Sequence, residues 1–147
     1  MRTQARVLSG KLNRWRVLDP RERLLCVEAM LFLLWAEVLV YLVPVRHWRS
    51  SFATSAQTSA SMAVLRDTKR AVERAARNLP TPARCLAQAL AAAWMLRRRG
   101  VTGTIELGAA RGAAGTLVFH AWLTVGPYVV TGPVDEDAFA LLRPVAG

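Results

Sequence analysis

Residues 79–100 read LPTPARCLAQALAAAWMLRRRG, and the fold turns on how that stretch is interpreted. Thr81 followed by Pro82 is a helix-start signature: a hydroxyl can accept an orphan N–H, and proline's fixed φ suits the first helical position. Leu86, Leu90, Ala93, Trp94 and Leu96 recur at helical spacing, and the arginines ahead of Gly100 complement the negative end of a helix. The expectation is a well-bounded helix with Cys85 in its first turn. Cys85 is then either a small apolar residue in a core, or a nucleophile placed where free N–H groups and partial positive charge stabilise a thiolate.

On the N-terminal side, MAVLRDTKRAVERAARN (residues 62–78) places Val64, Leu65, Thr68, Val72, Ala75 and Ala76 on one helical stripe, stopped by LPTP. Before it, SSFATSAQTSAS (residues 50–61) is small and polar, which suggests a helical region with linker over 1–61 and a core over 62–147. Asp19 as cap, Pro20 at the first helical position and Glu22 in the first turn open an earlier helix that runs to Pro44. The apolar stretch from Leu24 to Val45 is 22 residues, long enough to span a bilayer. Glu28 and Glu37 within it point to opposite sides of a helix and are costly in hydrocarbon. A soluble core helix is therefore favoured, with membrane association as the competing reading.

On the C-terminal side the texture changes to TIELGAA, TLVFHAWLTV and YVVTG, separated by RGAAG and GP turns, which reads as an antiparallel meander. The tail DEDAFALLRPVAG reads as a short helix or turn. The expected class is α+β, with helices first and a small antiparallel sheet after them.

Composition bounds the chemistry. The chain has 147 residues, about one domain, with 53% hydrophobic and 20% charged residues, so it should bury a core. Its two cysteines, Cys26 and Cys85, lack the spacing of a disulfide framework, metal site or redox pair, and no cofactor motif is present. Twenty basic residues, all arginine except Lys11 and Lys69, stand against ten acidic ones, for a net charge of +10. They are scattered rather than interleaved with aromatics, so no nucleic-acid partner is expected, while an acidic peptide partner is left open. The basic N-terminus is not followed by an apolar segment and small-residue cleavage site at the usual distance, which points to a reducing, cytoplasmic setting.

A thiol nucleophile needs a base, and the histidines are His47 and His120. His47, in VPVRHWRSS, reads as a surface or capping residue. His120 sits mid-strand in VFHAWLTV, where alternation groups it with Val118, Trp122 and Thr124. Taken alone it could equally be a buried histidine bonded to backbone. The imidazole also needs an orienting carboxylate. Asp135 lies one hairpin turn and one short strand beyond His120, with Glu136 and Asp137 as alternatives; for each of the three, capping of a helix N-terminus is the competing role. Cys26, within LLCVEAM, reads as inert packing.

Cysteine at a helix start, then histidine and an acid on consecutive strands, is the core order of transglutaminase-like and papain-like thiol enzymes. More narrowly, AARNLPTPARCLAQALAAAWMLRRRGVTGTIELGAARG with FHAW and YVVTG resembles the B2 proteins of lasso peptide biosynthesis, over nearly the whole chain from Trp15 to Leu142. The resemblance implies an N-terminal helical region ahead of a transglutaminase-like core, in which a nucleophile-bearing helix packs on a small antiparallel sheet. It implies a cysteine peptidase that removes the leader of a ribosomally made precursor peptide, with Cys85 as nucleophile and His120 as base. Such relatives carry an aspartate near the end of the strand after the histidine, where this chain has Thr131, Gly132 and Pro133, so the third role passes to Asp135. The implied partners are the precursor's leader, a separate B1 leader-recognition protein, since too few residues precede the first helix to contain one, and an asparagine-synthetase-like macrolactam cyclase. The alternatives are an acyltransferase on the same fold and a non-catalytic, membrane-associated scaffold.

Overall fold

The structure, a computed structural model, describes residues 18–44, 60–112, 115–132 and 140–141. Among the described residues, three helices precede a four-stranded antiparallel sheet: α1 (Pro20–Leu42), α2 (Met62–Asn78), α3 (Cys85–Arg97), then β1 (Thr104–Arg111), β2 (Leu117–Val125), β3 (Tyr128–Thr131) and β4 (Ala140–Leu141). The strand order is β3-β2-β1-β4. This is the expected α+β class.

α1 begins at Pro20 behind Asp19 and ends where Val43 turns extended ahead of Pro44. Its buried stripe is Cys26, Ala29, Leu33 and Ala36, the i, i+3, i+7 spacing of one helix face. The small residues at 29 and 36 let α2 and α3 approach closely. α2 buries Leu65, Thr68, Ala71, Val72 and Ala75, and Asn78 Nδ2 closes its last turn by donating to the Arg74 carbonyl at 2.8 Å. α1 shares one core with α2, α3 and the sheet, so the linker-like residues join helices that pack together.

α3 is enclosed on almost every side: Ala87, Ala89, Leu90, Ala91, Ala92, Met95 and Leu96 are all buried. An alanine-rich helix can sit between two helices and a sheet because its short side chains leave no need for wide spacing. Its C-terminal turn closes in a Schellman arrangement. The Val101 N–H donates to the Leu96 carbonyl at 3.0 Å and the Gly100 N–H to that of Arg97 at 3.0 Å. Gly100 at φ +72° takes the left-handed conformation this requires.

Both ends of α3 are held by acids of α1. At the C-terminal end, Arg99 meets Glu28 through a bidentate pair, Nη1 to Oε1 at 3.2 Å and Nη2 to Oε2 at 2.6 Å, with Arg98 Nη1 at 3.4 Å. At the N-terminal end, Glu37 Oε1 accepts the backbone N–H of Arg84 at 2.6 Å. Between them Phe32 tilts against Trp94 at 5.9 Å, with the Arg98 guanidinium 5.9 Å from the Phe32 ring centre. The two helices are antiparallel as a result.

The sheet pairs β1 with β2 from Thr104↔Thr124 to Arg111↔Leu117. Ile105, Leu123, Val125 and Val130 turn into the helical core. The tail differs from the helix or turn expected of it: Ala140 and Leu141 form β4, pairing with Ala109 and Gly108 of β1. β1 presents unpaired backbone groups at those positions, and ladder hydrogen bonds satisfy them where a turn would not.

Glu28→Ala strands two arginines at the α1–α3 contact and should cost about 2 kcal/mol of stability. Urea denaturation reads this directly; a midpoint unchanged from the parent would show that the contact contributes nothing.

Candidate active site

Cys85 is the first residue of α3, and Arg84 is its cap. The expected start at Thr81–Pro82 is corrected by three residues. Leu79 precedes Pro80 and Thr81 precedes Pro82, and each such residue is driven out of helical geometry by the proline ring that follows. Arg84 is also extended, at φ −65° and ψ 143°, with its N–H spent on Glu37. Helical geometry becomes available only at the cysteine.

The first intrahelical bond runs from the Gln88 N–H to the Arg84 carbonyl at 3.0 Å, and no side chain caps the turn. The N–H groups of Cys85, Leu86 and Ala87 therefore precede the helical ladder, at the positive end of the helix. Amides so placed can receive the charge of a tetrahedral oxyanion without moving. Cys85 is half-buried, whereas Cys26 is buried. The Cys26 sulfur lies on the α2-facing side of α1, where Arg74 Nη1 donates to it at 3.7 Å. Arg74 also lies 3.8 Å from Glu22.

An open groove of about 530 Å³ lies beside the residues that lead into α3, with Cys85 and His120 outside its lining. Its walls are the end of α2 (Glu73, Ala76, Arg77), the connecting residues Leu79 to Ala83, and Gln88 of α3. Gln88 Nε2 donates to the Ala83 carbonyl at 3.0 Å, tying the groove wall to the first turn. The two prolines and Leu79 give it an apolar side, and Glu73 and Arg77 give it a charged one.

β2 packs on α3 and carries His120. Leu117, Val118 and Phe119 are exposed, His120 is half-buried and Ala121 to Leu123 are buried, so His120 stands where the strand leaves the core. Leu123 and Val125 face the helices; alternation places His120, Trp122 and Thr124 on the other face. The His120 ring lies parallel to that of Trp122, 6.3 Å between centres, and Gly108 of β1 stands opposite it in register. Burial lowers the His120 pKa below its ordinary value of 6.5. At neutral pH the imidazole is thus uncharged and able to take a proton.

Thr131 and Gly132 have structural roles. The Thr131 hydroxyl accepts the Leu123 N–H at 3.2 Å, filling the ladder at the register shift between Leu123 and Thr124. Gly132, at φ +115°, lies so close to Trp122 that a Cβ would collide with the Trp122 Cβ. Asp135, Glu136, Asp137 and His47 lie outside the described residues.

Two carboxylates emerge that the sequence reading did not assign to the site. Glu37 reaches the start of α3 from 47 residues away, a pairing no local pattern signals. Glu106 stands opposite Trp122 in the β1–β2 register, on the His120 face, and its Oε1 accepts the Thr124 hydroxyl at 3.2 Å. Alternation in TIELG was the available signal, but only the register relates it to His120. Among the described residues, no group of three or more His, Cys, Asp or Glu side chains could hold a metal ion.

The model of the family described as the Transglutaminase-like superfamily matches residues 29–143, from within α1 to beyond β4. Neither the curated proteins nor the solved structures yield a match.

His120 makes stability pH-dependent. An unfolded histidine binds a proton near pH 6.5, and the folded one resists it to lower pH. Stability should therefore fall as pH drops below about 6.5, where the unfolded chain holds the extra proton. Chemical denaturation at graded pH should show this slope in the parent and a shallower one in His120→Gln. Equal slopes would mean that His120 titrates as if exposed.

Proposed function

We propose, since the chain belongs to the transglutaminase-like superfamily, that it is a cysteine peptidase acting on a peptide held in the groove beside Cys85. The observation that carries this reading is Cys85 itself, half-buried at the first position of α3 with uncommitted amides around it. In the proposed reaction the Cys85 thiolate attacks a backbone carbonyl and the first-turn N–H groups hold the oxyanion. His120 takes the Cys85 thiol proton as the thiolate forms and returns it to the leaving amine as the C–N bond breaks; it then takes a proton from the water that attacks the thioester and returns it to the departing Cys85 sulfur. Asp135 is the proposed orienting carboxylate, and Glu106 is the described carboxylate on the same face as His120.

The substrate proposed is the leader region of a lasso peptide precursor. The support is the run RCLAQAL with RRRG and FHAW, which resembles the B2 pattern over both the nucleophile helix and the base strand. On this reading a B1 protein delivers the leader, and a macrolactam cyclase consumes the freed core peptide. The groove is open to solvent, which leaves room for an extended peptide. If an amine replaces water in the second step, the same residues run an acyl transfer. Mass spectrometry separates the two outcomes as free leader and core or as a crosslinked product.

Cys85→Ala should abolish precursor cleavage, a loss of at least about three orders of magnitude, with circular dichroism unchanged. Processing at the parent rate would end the peptidase reading. Asp135→Asn should also cost at least about two orders of magnitude. If Glu106→Gln is the variant that loses rate while Asp135→Asn does not, the orienting acid sits on β1.

A further inference from the structure

α1 is apolar on two opposite faces. One carries the buried stripe of Cys26, Ala29, Leu33 and Ala36. The other is turned outward, with Leu24, Leu31, Leu34, Trp35, Val38 and Tyr41 between 47 and 76% exposed. A helix apolar all round has a cover on every side in its working state. The only charged residues between Leu24 and Leu42 are Glu28 and Glu37, and both are drawn off the outer face by residues that flank α3, Glu37 by the Arg84 N–H and Glu28 by the Arg99 guanidinium. The outer face is left without charge over most of its length.

The charge around that face selects its cover. Arg21 and Arg23 stand at the start of α1, in a chain of net charge +10. Two copies apposed through this face would set two strongly basic chains against each other. A bilayer surface with anionic headgroups instead offers an apolar layer for the leucines and negative charge for the flanking arginines. Trp35 and Tyr41, 60% and 76% exposed, are side chains that favour the headgroup level.

We propose that the outer face of α1 docks flat on an anionic lipid surface, with the helix lying in the interface rather than crossing it. Crossing is disfavoured because the opposite face belongs to the protein core. The docked chain would then work at the membrane, with α2, α3 and the sheet on the aqueous side. This inference does not depend on the chemistry of Cys85.

The test is co-sedimentation of the full chain with vesicles of phosphatidylcholine alone, or with about one quarter phosphatidylglycerol. The parent should pellet with the anionic vesicles and be released as salt is raised from roughly 0.1 to 0.5 M. Leu31→Gln with Trp35→Gln, which leaves the buried stripe intact, should bind on the order of tenfold more weakly or worse, with an unchanged melting curve. Failure of the parent to pellet would overturn the proposal, whatever the variant's folding. A parent that ignores vesicles but forms a dimer by light scattering would overturn it in favour of a second copy, and equal binding by a folded variant would place the lipid contact elsewhere.

Discussion

Everything in the described structure that bears on chemistry depends on two glutamates of α1 gripping the ends of α3. Glu37 takes the Arg84 N–H at one end and Glu28 takes Arg98 and Arg99 at the other. Each contact also agrees with the dipole of α3, whose positive start faces a carboxylate and whose negative end carries guanidinium groups. One consequence is positional: the Arg84 N–H is anchored to α1, which holds in place the extended residue from which the helix opens on Cys85. The other is rotational, because tying Glu28 and Glu37 to the two ends of α3 decides which apolar face of α1 enters the core and which is turned out.

Packing then limits what surrounds Cys85. Ala87, Ala89, Ala91 and Ala92 are fully buried, so α3 has little room for larger side chains between its neighbours; overpacking such sites costs about 1–3 kcal/mol. The start of the helix is the part left accessible, with the groove against it. On β2 the same transition from cover to exposure falls at His120. Burial keeps that imidazole neutral near pH 7, the form a base requires. Both groups stand where their elements emerge from cover, Cys85 at the start of the helix that packs on the sheet and His120 on the face of β2 turned away from it.

Much of the fold was legible in the chain. Spacing and punctuation marked α2 at Met62–Asn78 and the meander after Gly100, because both are set by local periodicity and glycine or proline stops. The start of α3 was misplaced because Thr81–Pro82 imitates a cap, while the deciding bond comes from α1. Glu28 and Glu37 appeared only as obstacles to a membrane span; their arginine partners lie 71 and 47 residues away. β4 was illegible for the same reason, since two residues carry no period and only the edge of β1 makes them a strand. Within the site, Cys85 and His120 stood out by residue type and context, whereas Glu106 needed the strand register to be noticed.

The central claim, that α1 sets where α3 begins, is tested most directly by hydrogen exchange of the Arg84 amide. The expected result is protection of that amide in the parent and its loss in Glu37→Ala, with the amides of Leu90 to Leu96 unchanged. An Arg84 amide that exchanges in the parent as freely as in an unstructured peptide, or is equally protected without Glu37, would contradict it.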